Sequence, residues 1–87
     1  MSSPLGRRLL YTRRAVKDID GLDIVVKKRL AKKLEALRRD PLGLAKKLID
    51  PKAGQYRYRV GDYRVVFDLH GASIVVLRVG HRSEIYR

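Results

Sequence analysis

Polar and apolar residues alternate along residues 56–67, and the alternation is interrupted once, at Gly61-Asp62. Strict alternation sends successive side chains to opposite faces of a β-strand, and a two-residue interruption joins two such strands into a hairpin. Glycine at the first loop position suits a type II′ turn, because that position needs a positive φ. The pattern therefore predicts a β-hairpin whose loop is Gly61-Asp62.

The predicted register divides this hairpin into an apolar face and a basic face. Arg59 lies directly opposite Arg64, and like charges in directly opposed positions destabilise a hairpin. The basic face carries Arg57, Arg59, Arg64 and Val66. The apolar face carries Tyr56, Tyr58, Val60, Tyr63, Val65 and Phe67. A cluster of guanidinium groups indicates a polyanion-binding site; the alternative is a solvated surface from which the arginines extend into water.

A long amphipathic helix is predicted from about Ile24 to Arg39, with Asp23 as its N-cap and Asp40-Pro41 as its stop. Its apolar residues recur at helical spacing and share one face: Val26, Leu30, Leu34 and Leu37. Lysines and arginines fill most of the remaining surface of this helix. That surface is either simply solvated or a secondary contact for phosphates.

A short strand over residues 8–12 and a short helix from Arg13 to about Asp20 precede the long helix. Thr12 is the predicted N-cap of the short helix and Gly21 its end. The inward-facing residues of this helix are expected to be Ala15, Val16 and Ile19.

The run from Ser73 to Val79 is almost entirely apolar, as expected for a strand buried on both faces near the centre of a sheet. A turn at His70-Gly71 separates it from the hairpin, and residues 42–55 form a connection that includes a possible helical turn. The order β-α-α-β-β-β predicts a single α+β domain over residues 1–87, with residues 1–6 disordered. Two helices pack on the tyrosine face of a small, mostly antiparallel sheet, and the arginine side stays open.

The chain has a formal net charge of +12, from 21 Lys and Arg against nine Asp and Glu. A folded domain this basic is expected to bind a polyanion: nucleic acid, an acidic membrane surface or an acidic protein. No cysteine is present, which excludes disulfide and thiolate chemistry, and the two histidines lack metal-ligand spacing. We therefore expect no metal and no cofactor. No apolar stretch approaches the ~20 residues of a membrane span, and the expected location is the cytoplasm.

The basic hairpin and the closing segment, residues 74–86 (Ile-Val-Val-Leu-Arg-Val-Gly-His-Arg-Ser-Glu-Ile-Tyr), together resemble the RelE branch of the RelE/ParE toxin superfamily. The resemblance implies a RelE-like fold and the toxin of a type II toxin–antitoxin pair. RelE-like toxins cut messenger RNA in the ribosomal A site, without metal, by attack of a ribose 2′-hydroxyl on the adjacent phosphate. The alternatives are a ParE-like toxin that inhibits DNA gyrase without nuclease chemistry, or a basic RNA-binding module of the same fold.

The resemblance assigns functional positions one at a time. The two basic residues of the first hairpin strand fall on Arg57 and Arg59, where the RelE pattern has lysines. The arginine after the turn falls on Arg64, and the arginine of the closing motif on Arg82. The closing tyrosine falls on Tyr86, whose ring is expected to stack on a base.

Cleavage through a 2′-hydroxyl needs a base for its proton, cations that stabilise the phosphorane and a proton donor to the 5′ oxygen. The planar fork of a guanidinium pairs with two phosphate oxygens, which suits Arg57, Arg59 and Arg64 for the cationic role. Lys52, in the loop before the hairpin, is expected to add a further phosphate contact.

His81 is the candidate base, because an arginine is almost never deprotonated and histidine has an unperturbed pKa of ~6.5. Strict alternation along the third strand puts His81 on the Arg64 face and Arg82 on the other face. A bulge at Gly80 would reverse that arrangement. The resemblance favours Arg82 as the inward group, the alternation favours His81, and both stay candidates.

A toxin of this kind needs a cognate antitoxin. The positive charge is expected to attract an acidic, largely disordered antitoxin segment and to speed its association. Two surfaces could receive it: the helix over residues 24–39, or an apolar strip of Val66, Val75 and Leu77 on the open sheet face. We expect the antitoxin to cover the strip and to contact or displace the neighbouring arginines.

Overall fold

A computed structural model describes residues 8–40, 46–47 and 56–83. The elements in chain order are β1 (Arg8–Tyr11), α1 (Arg13–Asp20), α2 (Ile24–Arg39), β2 (Lys46–Lys47), β3 (Tyr56–Val60), β4 (Tyr63–His70) and β5 (Ser73–His81). The strands form one five-stranded sheet in the order β1-β5-β4-β3-β2. β1 runs parallel to β5, and the other neighbours are antiparallel. The predicted α+β architecture is confirmed, with the two-residue β2 as an additional edge strand.

The hydrophobic core lies between the sheet and α2. Leu30, Leu34 and Leu37 of α2 are buried against the sheet, as their spacing predicts. The sheet contributes Tyr58, Val60, Val65, Phe67, Ile74, Val76 and Val79 to the same cluster. The apolar face of the hairpin therefore meets the helices, and the arginine side faces away from them. None of the described helices is long and apolar enough to cross a bilayer.

Helix α1 continues along β5 from the point where β1 ends. Thr12 caps α1, because its Oγ1 accepts the Ala15 N–H at 3.1 Å, and the same hydroxyl donates to the Leu77 carbonyl at 3.0 Å. Asp23 takes the predicted N-cap position of α2 but makes no side-chain capping hydrogen bond. The prediction that Val16 faces inward is wrong: its side chain is 47% exposed, and only Ala15 of α1 is fully buried.

The β3–β4 hairpin has the predicted loop and register. Gly61 has a φ of 60°, as the first loop position of a type II′ turn requires. No non-glycine residue of the described chain has a positive φ. The turn between β4 and β5 lies at Gly71-Ala72, one residue later than predicted, because Gly71 carries the positive φ of 58° and His70 pairs with Ser73. β5 has neighbours on both sides, which confirms its predicted central place.

A β-bulge interrupts the pairing of β4 with β5. Val66 pairs with Arg78 and Phe67 pairs with Val76, so Leu77 is an extra residue on β5. An extra residue reverses the alternation beyond it. Val79 therefore joins Val76 in the core, although strict alternation would send the two to opposite faces.

Candidate functional site

The face of the sheet turned away from the helices carries a regular array of arginines, here called the arginine face. The row nearest the β3–β4 loop consists of Arg59, Arg64 and Gly80, which are register partners across three strands. The next row consists of Arg57, Val66 and Arg78. Neighbouring strands lie ~4.8 Å apart and the rows ~6.7 Å apart, so four guanidinium groups share a small area.

Arg64 lies at the centre of its row, and its guanidinium is partly enclosed. Its Nη1 atom is buried and has no hydrogen-bond partner among the described residues. A buried donor without an acceptor costs folding free energy, of the order of 1–3 kcal/mol and more when it carries charge. An anion that gained access to this nitrogen would supply the acceptor, so the arrangement suits phosphate binding.

The apolar strip predicted beside the arginines is not exposed. Val66 is 1% exposed, although it lies outside the main core cluster, and Val75 and Leu77 are half-buried. The register partners of Val66 are Arg57 and Arg78, and arginine side chains have aliphatic stems that can cover apolar surface. The prediction of an open hydrophobic strip on this face is therefore wrong for Val66, and Val75 and Leu77 are only partly exposed.

His81 does not lie on the arginine face, so the position predicted for it from strict alternation is wrong. Its register partner is Tyr63, and the two rings meet edge to face with centroids 5.6 Å apart. The physical reason is the bulge at Leu77, which reverses the alternation of β5 beyond it. A bulge at Gly80 would have had the same effect on His81.

Arg82 extends the arginine face by one position. Its backbone N–H donates to the Asp62 carbonyl at 2.9 Å, one residue beyond the Tyr63–His81 pair. Because side chains alternate, Arg82 emerges on the face opposite His81, next to the row of Arg64 and Gly80. His81 therefore lies off the arginine face, and the backbone bond of Arg82 to Asp62 favours Arg82 as the residue nearer to the hairpin arginines.

The imidazole of His81 is held by Ser83. The Ser83 backbone N–H donates to Nδ1 at 3.2 Å, and the Ser83 Oγ lies 2.8 Å from the same nitrogen. A backbone N–H can only donate, so Nδ1 accepts and the proton of the neutral ring lies on Nε2. Neither nitrogen then offers a free lone pair, and this geometry weighs against a role as general base.

Two predicted site residues, Lys52 and Tyr86, lie outside the described residues, and their roles stay predictions. One cation was missed: Arg78, the single charged residue in the apolar run of β5. Its position as a single charge in an apolar run was the only sequence signal that Arg78 has a role. Within the described chain, no three His, Asp or Glu side chains lie close enough together to hold a metal ion.

A second candidate surface lies on the helix side. Large apolar residues are exposed there: Tyr11, Val16, Ile24 and Val25, at 42–63%. A groove of about 270 Å³ runs between the two helices and the end of β1, with Asp20 and Lys27 among its lining residues. Burial raises the pKa of Tyr11, which lines the groove, and the Glu35 charge raises it further against the opposing effect of Arg38.

Comparison with known proteins gives a consistent picture. A family model described as ParE toxin of type II toxin–antitoxin system, parDE, matches residues 9–86. The chain is 31% identical over 83 residues to Toxin RelE3 of Methanocaldococcus jannaschii, covering 91% of this chain and 94% of that toxin. It is 42% identical over 53 residues to Toxin RelG of Mycobacterium tuberculosis, covering 59% of this chain and 61% of that toxin.

The fold also matches a solved structure, the toxin–antitoxin complex RelBE2 of Mycobacterium tuberculosis. The TM-score is 0.80 at 28% sequence identity, and the match covers 88% of this chain and 99% of that chain. The described fold and the sequence matches therefore point to the same group of proteins.

Proposed function

This chain belongs to the ParE toxin family of type II toxin–antitoxin systems, and we propose, from its likeness to toxins named RelE3 and RelG, that it is an endoribonuclease that cleaves ribosome-bound messenger RNA without a metal ion. The predicted membership of the RelE/ParE superfamily is confirmed, and its curated relatives carry the names RelE3 and RelG. The observation that carries the proposal is Arg64: a buried, unpartnered guanidinium nitrogen directly opposite a second arginine.

The row of Arg59 and Arg64 is costly for folding and useful for binding an anion. Opposed like charges destabilise the hairpin, and nothing in the described chain satisfies Arg64 Nη1. A phosphodiester bound over this row would offset the repulsion, and an oxygen that gained access to Nη1 would satisfy it as well. Donors that are already in place stabilise a transition state without reorganising during the reaction.

The proposed reaction uses the RNA itself as the nucleophile. The 2′ oxygen attacks the adjacent phosphorus and loses its proton to water, because no described residue of the site is assigned as a base. The bond from phosphorus to the 5′ oxygen breaks as that oxygen takes up a proton from water. The products are a 2′,3′-cyclic phosphate and a 5′-hydroxyl end. Arg59 and Arg64 stabilise the doubly charged phosphorane, and Arg57 holds a neighbouring phosphate.

We assign Arg82 to the same phosphate cluster and give His81 no part in proton transfer. The backbone N–H of Arg82 bonds to Asp62 at the end of the hairpin, which favours a position beside the row of Arg64. The His81 ring instead packs against Tyr63, and its Nδ1 accepts the Ser83 N–H. Lys52 and Tyr86 keep the roles expected from the sequence, as a phosphate contact and a stacking platform for a base.

We propose an acidic antitoxin as the protein partner, seated in the apolar groove on the helix side. The structure of RelBE2 is a toxin–antitoxin complex, and the groove of this chain is lined by two exposed apolar residues, Tyr11 and Val16. The surrounding surface of α2 is strongly basic, with Lys28, Arg29, Lys32 and Lys33 all exposed. An amphipathic acidic helix would complement both features.

Hydrogen exchange tests this partner site. Binding should protect backbone amides of α1, α2 and β1, and it should raise the melting temperature of the toxin, because a ligand of the folded state stabilises it by mass action. Protection confined to β3 and β4 would show that the antitoxin covers the arginine face instead.

The experiment that tests the nuclease proposal uses the purified protein with a defined mRNA, with and without ribosomes, and with DNA gyrase in parallel. We expect mRNA cleavage that depends on ribosomes and normal supercoiling by gyrase. Intact mRNA together with lost supercoiling activity would favour the ParE-like alternative. RNA binding without cleavage, and without an effect on gyrase, would leave a binding module.

A further inference from the structure

Arg78 lies on the arginine face in a position equivalent to that of Arg57. Both are register partners of Val66, one on β5 and the other on β3. The three residues form one row, so Arg78 lies as near to the row of Arg64 as Arg57 does. The resemblance to known toxins gives Arg78 no role.

The bulge at Leu77 is what brings Arg78 to this face. Val76 lies in the core, so without an extra residue strict alternation would send position 78 toward the helices. With Leu77 inserted, Arg78 instead stands opposite Val66. The irregularity that removes His81 from the arginine face therefore adds a guanidinium to it.

Asp18 of α1 accepts a hydrogen bond from one nitrogen of the Arg78 guanidinium, Nε. Its Oδ2 accepts the Val79 N–H at 3.0 Å and the Arg78 Nε–H at 3.2 Å. Within the described chain, Nε is the only nitrogen of Arg78 that is hydrogen-bonded. A guanidinium has five N–H donors, so the four on the terminal nitrogens have no acceptor among the described residues and can serve a second one.

We propose that Arg78 is a further phosphate-contacting residue of the RNA site and that Asp18 is its positioning residue. The proposal rests on the function proposed above. Arg78 is 35% exposed and Asp18 14%, so the arginine stays within reach of a ligand while the carboxylate that orients it is largely enclosed. A lysine could not bind both partners in this way, because its ammonium is a single point of charge.

The test is the salt dependence of RNA binding by the full chain. The probe is a fluorescein-labelled oligouridine with 2′-O-methyl riboses, which cannot be cut through a 2′-hydroxyl. For single strands, the slope of log K against log salt is about −0.7 for each phosphate contact. Arg78→Ala should make the slope shallower by about 0.7.

Arg14→Ala is the matched control. Arg14 also contacts Asp18, at 3.4 Å, and its loss changes the net charge equally, but it lies on α1 and outside the arginine face. Its slope should equal that of the parent. An Arg78→Ala slope indistinguishable from that of Arg14→Ala would overturn the proposal.

Arg64→Ala separates this inference from the proposed function. If Arg64→Ala makes the slope shallower and Arg78→Ala does not, only the inference on Arg78 is lost. If neither changes the slope, the arginine face is not the RNA site and both fall. Thermal melts confirm folding; should Arg78→Ala fail to fold, Arg78→Gln keeps a donor for Asp18 without the charge and is measured in its place.

The positioning role has its own readout. In Asp18→Asn, the amide oxygen can still accept the Val79 N–H but no longer holds the guanidinium by charge. Arg78→Ala should therefore weaken RNA binding by a smaller factor in the Asp18→Asn background than in the parent. An equal or larger factor would remove Asp18 from the proposal.

Discussion

Arg59 and Arg64 are direct register partners across the β3–β4 hairpin, on the side of the sheet that faces away from the helices. Opposed like charges oppose folding, and Arg64 adds a buried nitrogen that no described residue satisfies. A hairpin selected for stability alone would carry an opposite charge or a β-branched residue at one of these positions. The relationship is explained if the pair binds a polyanion.

The first prediction is that Arg59→Thr stabilises the free protein and weakens RNA binding. Removing the opposed charge should raise the free energy of unfolding by ~0.2–1 kcal/mol at low salt, and the gain should shrink at high salt because salt screens the repulsion. Urea unfolding at two ionic strengths measures it. Arg59→Lys is the control, because it keeps a positive charge opposite Arg64 and should show no salt-dependent gain.

The second prediction concerns catalysis. Arg64→Ala and Arg82→Ala should each slow cleavage at least ~10²-fold, the scale for losing one preorganised donor to a developing charge. His81→Gln should keep most of the activity, because the His81 ring lies on the other face. The single-turnover cleavage rate of each variant measures these effects. A loss of rate in His81→Gln as large as that in Arg64→Ala would restore His81 to the mechanism.

The third prediction concerns the contact between α1 and the bulge. Asp18→Ala removes the acceptor of the Val79 N–H and a charged partner of Arg78, and should lower the free energy of unfolding by about 1–3 kcal/mol. Asp20→Ala, on the same helix but exposed, should change it by less than about 0.5 kcal/mol. Similar values for the two variants would show that the Asp18 bridge does not anchor α1.

The fourth prediction concerns alkaline pH. Burial raises the pKa of Tyr58 above its ordinary value of 10.0. The folded state therefore holds this proton more tightly than the unfolded state, so the contribution to stability is complete below pH 10 and is lost as pH rises through the folded-state pKa. In Tyr58→Phe, the free energy of unfolding should fall less between pH 9 and 11. A loss equal to that of the parent would contradict the assignment.

The sequence predicts the hairpin and α2 well because each has a local periodic signal. Alternation around Gly61 gives the register of Arg59 with Arg64, and the leucine spacing gives the buried face of α2. The bulge at Leu77 has no such signal, because the residues around it are apolar on both faces. Because this bulge was not predicted, the sequence left both His81 and Arg82 as candidates for the arginine face.

Other features depend on contacts between distant parts of the chain. Arg78 appears in the sequence as a lone charge, and its partner Asp18 is 60 residues away. The exposure of Val16 depends on how α1 packs beside β1, which helical spacing alone does not decide. Strand β2 has only two residues, both lysines, and carries no strand signal of its own.

The most direct test of the central claim is to identify the RNA ends produced when the purified protein acts on ribosome-bound mRNA. Attack by the 2′-hydroxyl, stabilised by the arginine face, predicts 2′,3′-cyclic phosphate and 5′-hydroxyl ends, formed at least ~10²-fold more slowly by Arg64→Ala. Mass spectrometry of the fragments identifies these ends. Ends carrying a 3′-hydroxyl and a 5′-phosphate, or no new ends at all, would contradict the account.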